Sequence, residues 1–255
     1  MSSKDITGQV ALVTGAASGL GAATAAELVA HGATVCGVDL QPSIDKAEAQ
    51  DGVHLIAADV TDPEAVQAAV AEAAAAGPLR LAVNCAGIAP GQRILSKKGP
   101  HDIGLFQKVV EINLIGTFSG MTAAGAAMAE LEPVDDDGQR GLIVSTASVA
   151  AFEGQIGQAA YAASKGGVHA LTISAARDLA SKGIRVCTIA PGIVETPMMA
   201  GIDPDFRAGL EATVPFPARL ARPHEYARLV TMLAEHDYLN GETVRMDGAL
   251  RMPPR

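Results

Sequence analysis

Tyr161 and Lys165 stand four residues apart in the segment Tyr161-Ala162-Ala163-Ser164-Lys165, inside a run that reads as helix. Four residues make about one helical turn, so a phenol and an ammonium leave the same face. A nearby cation favours the phenolate, which lowers the tyrosine pKa toward the range where it exchanges protons near neutral pH. That pair is equipment for giving and taking a proton, although a solvated helix face presents the same spacing with no chemistry attached.

The elements that would position such a pair begin at the other end of the chain. Val10-Ala11-Leu12-Val13-Thr14 reads as a short buried strand and runs directly into Gly15-Ala16-Ala17-Ser18-Gly19-Leu20-Gly21. From Ala22 to His31 strong helix formers dominate, with Gly32 as the stop. In a strand, glycine loop and helix, backbone N–H groups at the helix N-terminus hold a pyrophosphate and the glycines admit it closely. A tight turn before an alanine-rich helix has the same glycines, and the loop alone leaves both readings open. The next strand, Thr34 to Val38, ends at Asp39, where a dinucleotide fold places the carboxylate that bonds the adenosine ribose hydroxyls. That carboxylate would repel a 2′-phosphate, and Ala16, Ala17 and Leu40 offer no Arg or Lys to receive one. The expected cofactor is therefore NAD rather than NADP; a surface aspartate capping a turn is the plainer alternative.

Val53 to Ala58 reads as a third strand ending in Asp59-Val60 at the same edge as Asp39. Asp59 would reach the adenine amino group from there, while Asp59 or Thr61-Asp62-Pro63 would cap the next helix, which runs to Ala76. A fourth strand, Arg80 to Asn84, leads into Cys85-Ala86-Gly87, small residues that let backbone come close to a cofactor. After a longer loop, one helix is expected from Gly104 to Leu131; Asn113 sits in it among Ile112, Leu114 and Ile115, as a bonded core residue or a site residue. The fifth strand, Leu142 to Ser145, runs into Thr146-Ala147-Ser148 at the carboxyl end, where an open parallel sheet binds its ligands. A sixth, Ile184 to Ile189, precedes Pro191-Gly192, and a seventh, Glu242 to Met246, precedes Asp247-Gly248. Between them, Ile193 to Arg222 is rich in Pro, Met and Phe and suits a substrate lid, or an ordinary crossover.

Strand and helix patterns alternate along all 255 residues with no dividing linker, so a single α/β domain over 1–255 is expected. A net charge of −9 and a pI near 5.1 argue against nucleic acid or an anionic membrane surface as main partner. Arg93, Lys97 and Lys98 make a local basic stretch that could meet an anionic ligand or be a solvated loop. Cys36, Cys85 and Cys187 have no paired spacing and read as small buried residues in a reducing compartment; no histidine pairs at metal-ligand spacing, and no metal is implied. The first eight residues lack an apolar signal core and an Arg-rich presequence, and no uncharged apolar run approaches a bilayer span, so a soluble cytoplasmic protein is expected.

Together, TGAASGLG at Thr14 to Gly21, Asp39, Asp59-Val60, Asn84-Cys85-Ala86-Gly87, Asn113, Ser148, Tyr161, Lys165 and Pro191-Gly192 resemble the short-chain dehydrogenase/reductase family over nearly the whole chain. The resemblance implies a Rossmann fold, a doubly wound parallel sheet of about seven strands with helices on both faces. The stretch Ser145 to Val168 and the ending from Leu239 to Met252 are similar to the short-chain L-3-hydroxyacyl-CoA dehydrogenases, whose members also oxidise hydroxysteroids. Departures lie after Asp39, in Gly91 to His101 and from Met198 to Glu211, the positions that shape the acyl pocket.

By this resemblance Tyr161 is the general base, Lys165 lowers its pKa and holds the nicotinamide ribose, Ser148 bonds the substrate oxygen, and Asn113 holds a water linking Lys165 to solvent. Gly15, Ser18, Gly19, Leu20 and Gly21 would meet the pyrophosphate and adenosine side, Asp39 the ribose, and Asp59 with Val60 the adenine. Cys85, Ala86 and Gly87 would lie alongside, while Pro191, Gly192, Val194 and Thr196 would close over the nicotinamide carboxamide. Gln155 and Gln158 would touch the substrate, or form a turn bonded to itself. The implied substrate is (S)-3-hydroxyacyl-CoA; a hydroxysteroid or a 3-oxoacyl carrier-protein thioester are alternatives, and a non-enzymatic NAD-binding scaffold would have no need of a proton relay. The apolar residues Val194, Met198, Met199, Phe206 and Leu210 would cover an acyl chain or a steroid, the Arg93 to Lys98 loop would lie near CoA phosphates, and a homotetramer packed through the helices from Gly104 and Gln158 is implied.

Overall fold

In the computed structural model, which describes residues 6–197 and 203–254 apart from the side chains of Pro204 and Phe206, the apolar runs become strands. These are Val10–Thr14 (β1), Thr34–Asp39 (β2), Val53–Ala57 (β3), Leu79–Asn84 (β4), Gly141–Thr146 (β7), Ile184–Pro191 (β8) and Thr243–Met246 (β9). They form a seven-stranded parallel sheet in the order β3-β2-β1-β4-β7-β8-β9. Leu95–Ser96 (β5) and Gly99–Pro100 (β6) pair as a separate antiparallel hairpin within the segment expected to be loop.

The helices are Gly19–Ala30 (α1), Gln41–Ile44 (α2), Pro63–Ala76 (α3), Ile103–Val110 (α4), Gly116–Ala129 (α5), Ala159–Ala180 (α6), Pro204–Ala212 (α7) and Pro223–Glu235 (α8). A parallel sheet must be covered on both faces, because alternate side chains of an apolar strand point opposite ways. In β1, Val10 and Leu12 pack with Val70 of α3, Met121 and Met128 of α5 and Ala175 of α6. Ala11 and Val13 face the other way, onto Leu28 of α1 and Val230 and Leu233 of α8. The expected doubly wound, Rossmann-type architecture follows from this two-sided burial, each large side chain contributing about 1.5–3 kcal/mol. Chain order reverses across β1 and β4, so the carboxyl ends of those strands part to leave a crevice.

One boundary differs from the sequence reading, and one cap is decided between its alternatives. The single helix expected from Gly104 to Leu131 is two helices joined by a π turn, Glu111–Ile115, in which Asn113 is buried. The α3 cap is Asp62, which accepts from Glu64 N at 3.0 Å and Ala65 N at 3.2 Å, leaving Asp59 free of that duty. The segment 193–222 contains α7, but Met198, Met199 and the Phe206 side chain lie outside the described residues.

Arg185 ties α8 to the sheet. Its Nη1 donates to Leu233 O and Leu239 O, both at 3.0 Å, its Nη2 to Ala234 O at 3.2 Å, and its Nε to Gln139 Oε1 at 2.6 Å. Leu233 and Ala234 belong to the last turn of α8, whose carbonyls lack intrahelical partners. Burial pushes the Arg185 pKa down, yet the guanidinium keeps its charge, so it meets these carbonyls as a charged donor. Replacing Arg185 with Met strands several buried carbonyls at once; each unsatisfied group costs about 1–3 kcal/mol, and urea unfolding should report a loss of about 3 kcal/mol or more. An Arg185→Met loss under about 1 kcal/mol would contradict this role for the guanidinium.

Candidate active site

A cleft of about 700 Å³ opens at the carboxyl ends of β1, β4, β7 and β8. Its first end is built by the glycine loop. Gly15 has φ +70°, a conformation that costs glycine little, and a Cβ there would sit 2.9 Å from Ala86 N. A Cβ on Gly21 would collide with the Gly15 carbonyl. Ser18 is the N-cap of α1 yet makes no side-chain capping bond, and the first turn carries no acidic residue. The helix N-terminus therefore presents its N–H groups and positive dipole end to the cleft, where an anion is favoured. Ser18, Gly19, Leu20 and Gly21 all line it.

Asp39 closes β2 at the same end. Its Oδ2 accepts from Ala17 N at 3.0 Å and its Oδ1 from Leu40 N at 2.8 Å, so the carboxylate is locked to the glycine loop. The neighbouring lining residues Leu40, Ser43 and Ala58 carry no cation. Asp59 and Val60 line the cleft beyond them, with Asp59 Oδ1 accepting from Thr61 N at 2.9 Å and Thr61 Oγ1 at 2.8 Å. The donor set fits a dinucleotide whose adenosine ribose carries free hydroxyls.

Cys85, Ala86 and Gly87 form the middle of the wall. Thr14 holds them: its Oγ1 accepts from Cys85 N and Ala86 N, each at 3.2 Å. Pro191, Gly192, Val194 and Thr196 face them from the end of β8.

Ser148, Tyr161 and Lys165 converge at the second end. Lys165 is almost fully buried and its Nζ donates to Thr146 O at 2.6 Å. Burial lowers its pKa to about 8, because desolvation penalises the ammonium. Tyr161 goes the other way. Burial raises its pKa, while the hydrogen bond with Ser148 opposes that rise. Lys165 is expected to pull the phenol down, but here the ammonium lies 5.9 Å from the ring centroid and is directed at Thr146, and desolvation dominates. Ser148 Oγ accepts from Ala150 N at 3.1 Å, which orients the hydroxyl.

Two expected site residues stay outside the cleft lining. Asn113 donates from Nδ2 to Ile88 O at 2.9 Å and Ser164 Oγ at 3.1 Å, and its Oδ1 accepts from Ile88 N at 2.8 Å. Its amide is thus committed to joining the Gly87-Ile88 segment to α6, and Ser164 in turn donates to Tyr161 O at 2.8 Å. Gln155 bonds within its own turn and to the chain end, while Gln158 does line the cleft. Arg93, Lys97 and Lys98 do not line it; the lysines that do are Lys108 of α4 and Lys165.

Sequence reasoning assigned no role to Thr146 or Tyr226. Thr146 Oγ1 donates its one proton to Asn84 O at 2.6 Å, so the Tyr226 hydroxyl, 2.7 Å away, must be the donor to Thr146. A polar residue closing an apolar strand was the available signal for Thr146; Tyr226 sits on a helix 80 residues further along and gave none.

A family model described as short chain dehydrogenase matches residues 9–206. The chain is 49% identical over 257 residues to the 3-hydroxyacyl-CoA dehydrogenase type-2 of Bos taurus, and 48% to that of Homo sapiens, with 98% of each chain covered in both alignments. Among solved structures, a 3-hydroxyacyl-CoA dehydrogenase type-2 from Mycobacterium avium superposes with a TM-score of 0.91 at 42% identity, covering 97% of this chain and 98% of that one.

The lowered Lys165 pKa has a measurable linkage. Its ordinary value is 10.5 and its folded value about 8, so between these the unfolded chain binds more protons and stability rises with pH. The contribution of the neutral amine is complete above 10.5 and lost as pH falls through 8. In urea unfolding, wild type minus Lys165→Met should gain up to about 3 kcal/mol across that window. A flat difference would show that the amine is not desolvated.

Proposed function

Because the chain belongs to the short-chain dehydrogenase family, we propose that it is an NAD-dependent oxidoreductase that interconverts a short or branched (S)-3-hydroxyacyl-CoA and its 3-oxoacyl-CoA. The observation that carries this reading is one continuous cleft with the glycine loop and Asp39 at one end and Ser148, Tyr161 and Lys165 at the other. The substrate class is supported by the relatives' names and by the match over nearly the whole of each chain.

NAD, when bound, supplies the acceptor for the hydride that leaves the carbinol carbon. Tyr161 takes the hydroxyl proton at its phenolic oxygen, so the alcohol loses two electrons and two hydrogens in all. Ser148, already oriented by Ala150 N–H, bonds the reacting oxygen and stabilises charge developing on it. Lys165 holds the nicotinamide ribose and contributes positive charge beside Tyr161. Asn113 acts by positioning, since its amide ties α6 to Ile88 just where Tyr161 and Lys165 project. The remaining lining residues take the roles the family resemblance implies, and the segment 193–222 serves as the lid.

The assembly we infer is a homotetramer. Ile115 and Phe118 are about half exposed and border an apolar groove with Leu114, Gly167, Ala170 and Leu171, a surface suited to a second copy of α5 and α6. We place the protein in the cytoplasm, in keeping with three free thiols. No helix among the described residues is long and apolar enough to cross a membrane.

Acetoacetyl-CoA with NADH is the deciding assay, run beside a panel of oxidised hydroxysteroids. Turnover of the thioester is expected; steroid turnover without it would move the substrate to the second class. Tyr161→Phe should keep NADH binding, read by fluorescence titration, and lose about 10²–10⁴ or more in kcat. Most of the turnover surviving in that variant would refute the acid/base assignment. Wild type should prefer NAD(H) strongly over NADP(H), and Asp39→Ala with Leu40→Arg should shift the ratio of kcat/KM values toward NADP(H); equal efficiency of wild type with both cofactors would overturn the ribose assignment.

A further inference from the structure

The chain end is held at the reacting end of the cleft by a network that none of the chemistry above uses. Arg245 of β9 donates bidentately to Glu153, Nη1 to Oε1 at 2.8 Å and Nη2 to Oε2 at 2.9 Å. Its Nε donates to Asp247 Oδ2 at 2.7 Å, and its guanidinium lies 4.8 Å above the Phe152 ring. Glu153 also accepts from the backbone of Met252, and Arg251 approaches it at 3.6 Å while bonding Asp247 at 3.1 Å. Fork geometry of this kind fixes direction as well as distance.

The same tail then pairs with the turn before α6. Gln155 Nε2 donates to Pro253 O at 3.1 Å and Ile156 N to Pro254 O at 3.0 Å. Gln155 N donates to Gln158 Oε1 at 3.1 Å, and Gln158 lines the cleft beside Tyr161. Met252, between the latch and these bonds, also lines the cleft. To bring the tail back across the sheet, Ala249 takes φ +66°, a strained value for a residue with a Cβ. A strained turn persists where surrounding contacts over-determine it, and here those contacts hold Met252 at the cleft.

We propose that residues 249–254 form a wall of the substrate site, that Met252 sorts substrates by the bulk attached beside the reacting carbon, and that Arg245 and Glu153 are positioning residues that hold this wall. For the 3-oxoacyl-CoA reading, on which the chemical class rests, that bulk is the acyl chain. Met is unbranched and adaptable, which suits a wall meeting linear and branched chains alike.

The test compares kcat/KM across 3-oxoacyl-CoAs from acetoacetyl to 3-oxodecanoyl, and across small and polycyclic ketones, with NADH titrated separately. Met252→Ala should raise the ratio of long to short acyl chains about tenfold or more, and Met252→Trp should lower it comparably, with NADH affinity unchanged in both. Glu153→Gln, which keeps size and loses the ionic latch, should move the ratio in the same direction as Met252→Ala while raising KM more than it lowers kcat. Unchanged ratios in both Met252 variants would overturn the wall. If wild type turned over ketones but no acyl-CoA, a Met252-dependent ratio between small and polycyclic ketones would retain the wall and discard the acyl assignment; no dependence there would discard both.

Discussion

An ammonium buried on the floor of a cleft needs an acceptor, and Thr146 O provides it at 2.6 Å to Lys165. That one bond governs much of the surrounding architecture. The carbonyl is available because β7 ends there, between β4 and β8, so the position of the charge is referred to the centre of the sheet rather than to a loop. The side chain of the same residue is clamped between Asn84 O and the Tyr226 hydroxyl, and Tyr226 is held by α8, whose last carbonyls Arg185 collects. Buried polar contacts thus fix both ends of α8, Arg185 at its last carbonyls and Thr146 at Tyr226, and each bond is strengthened by low local dielectric.

Burial moves the two titrating groups apart: the Tyr161 phenol upward and the Lys165 ammonium downward to about 8. The fold by itself therefore keeps the proton on tyrosine. Positive charge beside the ring favours phenolate, and Lys165 Nζ, 5.9 Å from the ring centroid, is placed to supply it against the desolvation.

Much of this was readable in the chain because the relevant signals are local. The strand, glycine loop and helix from Val10 to Ala30 depend on neighbouring residues alone, and Asp39 is placed by the length of one βαβ unit. What was not readable depends on contacts between distant segments. The amide of Asn113 is used up by Ile88 and Ser164, and the π turn around it leaves no mark in a helical pattern that contains no Pro. Gln155 read as a substrate contact or as part of a turn bonded to itself; it bonds within that turn, to Gln158, and its further partner Pro253 lies near the other end of the chain. The direction of the Tyr161 shift could not be read from a four-residue spacing, since spacing carries the cation and says nothing of desolvation.

The π turn at Glu111–Ile115 also acts as a phase element. An α-helix advances about 100° per residue, and a π turn spends one extra residue on the same advance, so the two flanking halves keep their faces while the residue pattern shifts by one position across the turn. Lys108 and Ile112 address the cleft, while Met121, Ala124 and Met128 address the sheet. The extra residue is taken up locally, in the turn that carries the buried Asn113. Losing one residue there would restore ordinary winding and leave both halves aimed as they are, so the turn is a point where chain length can change by one without re-registering either helix.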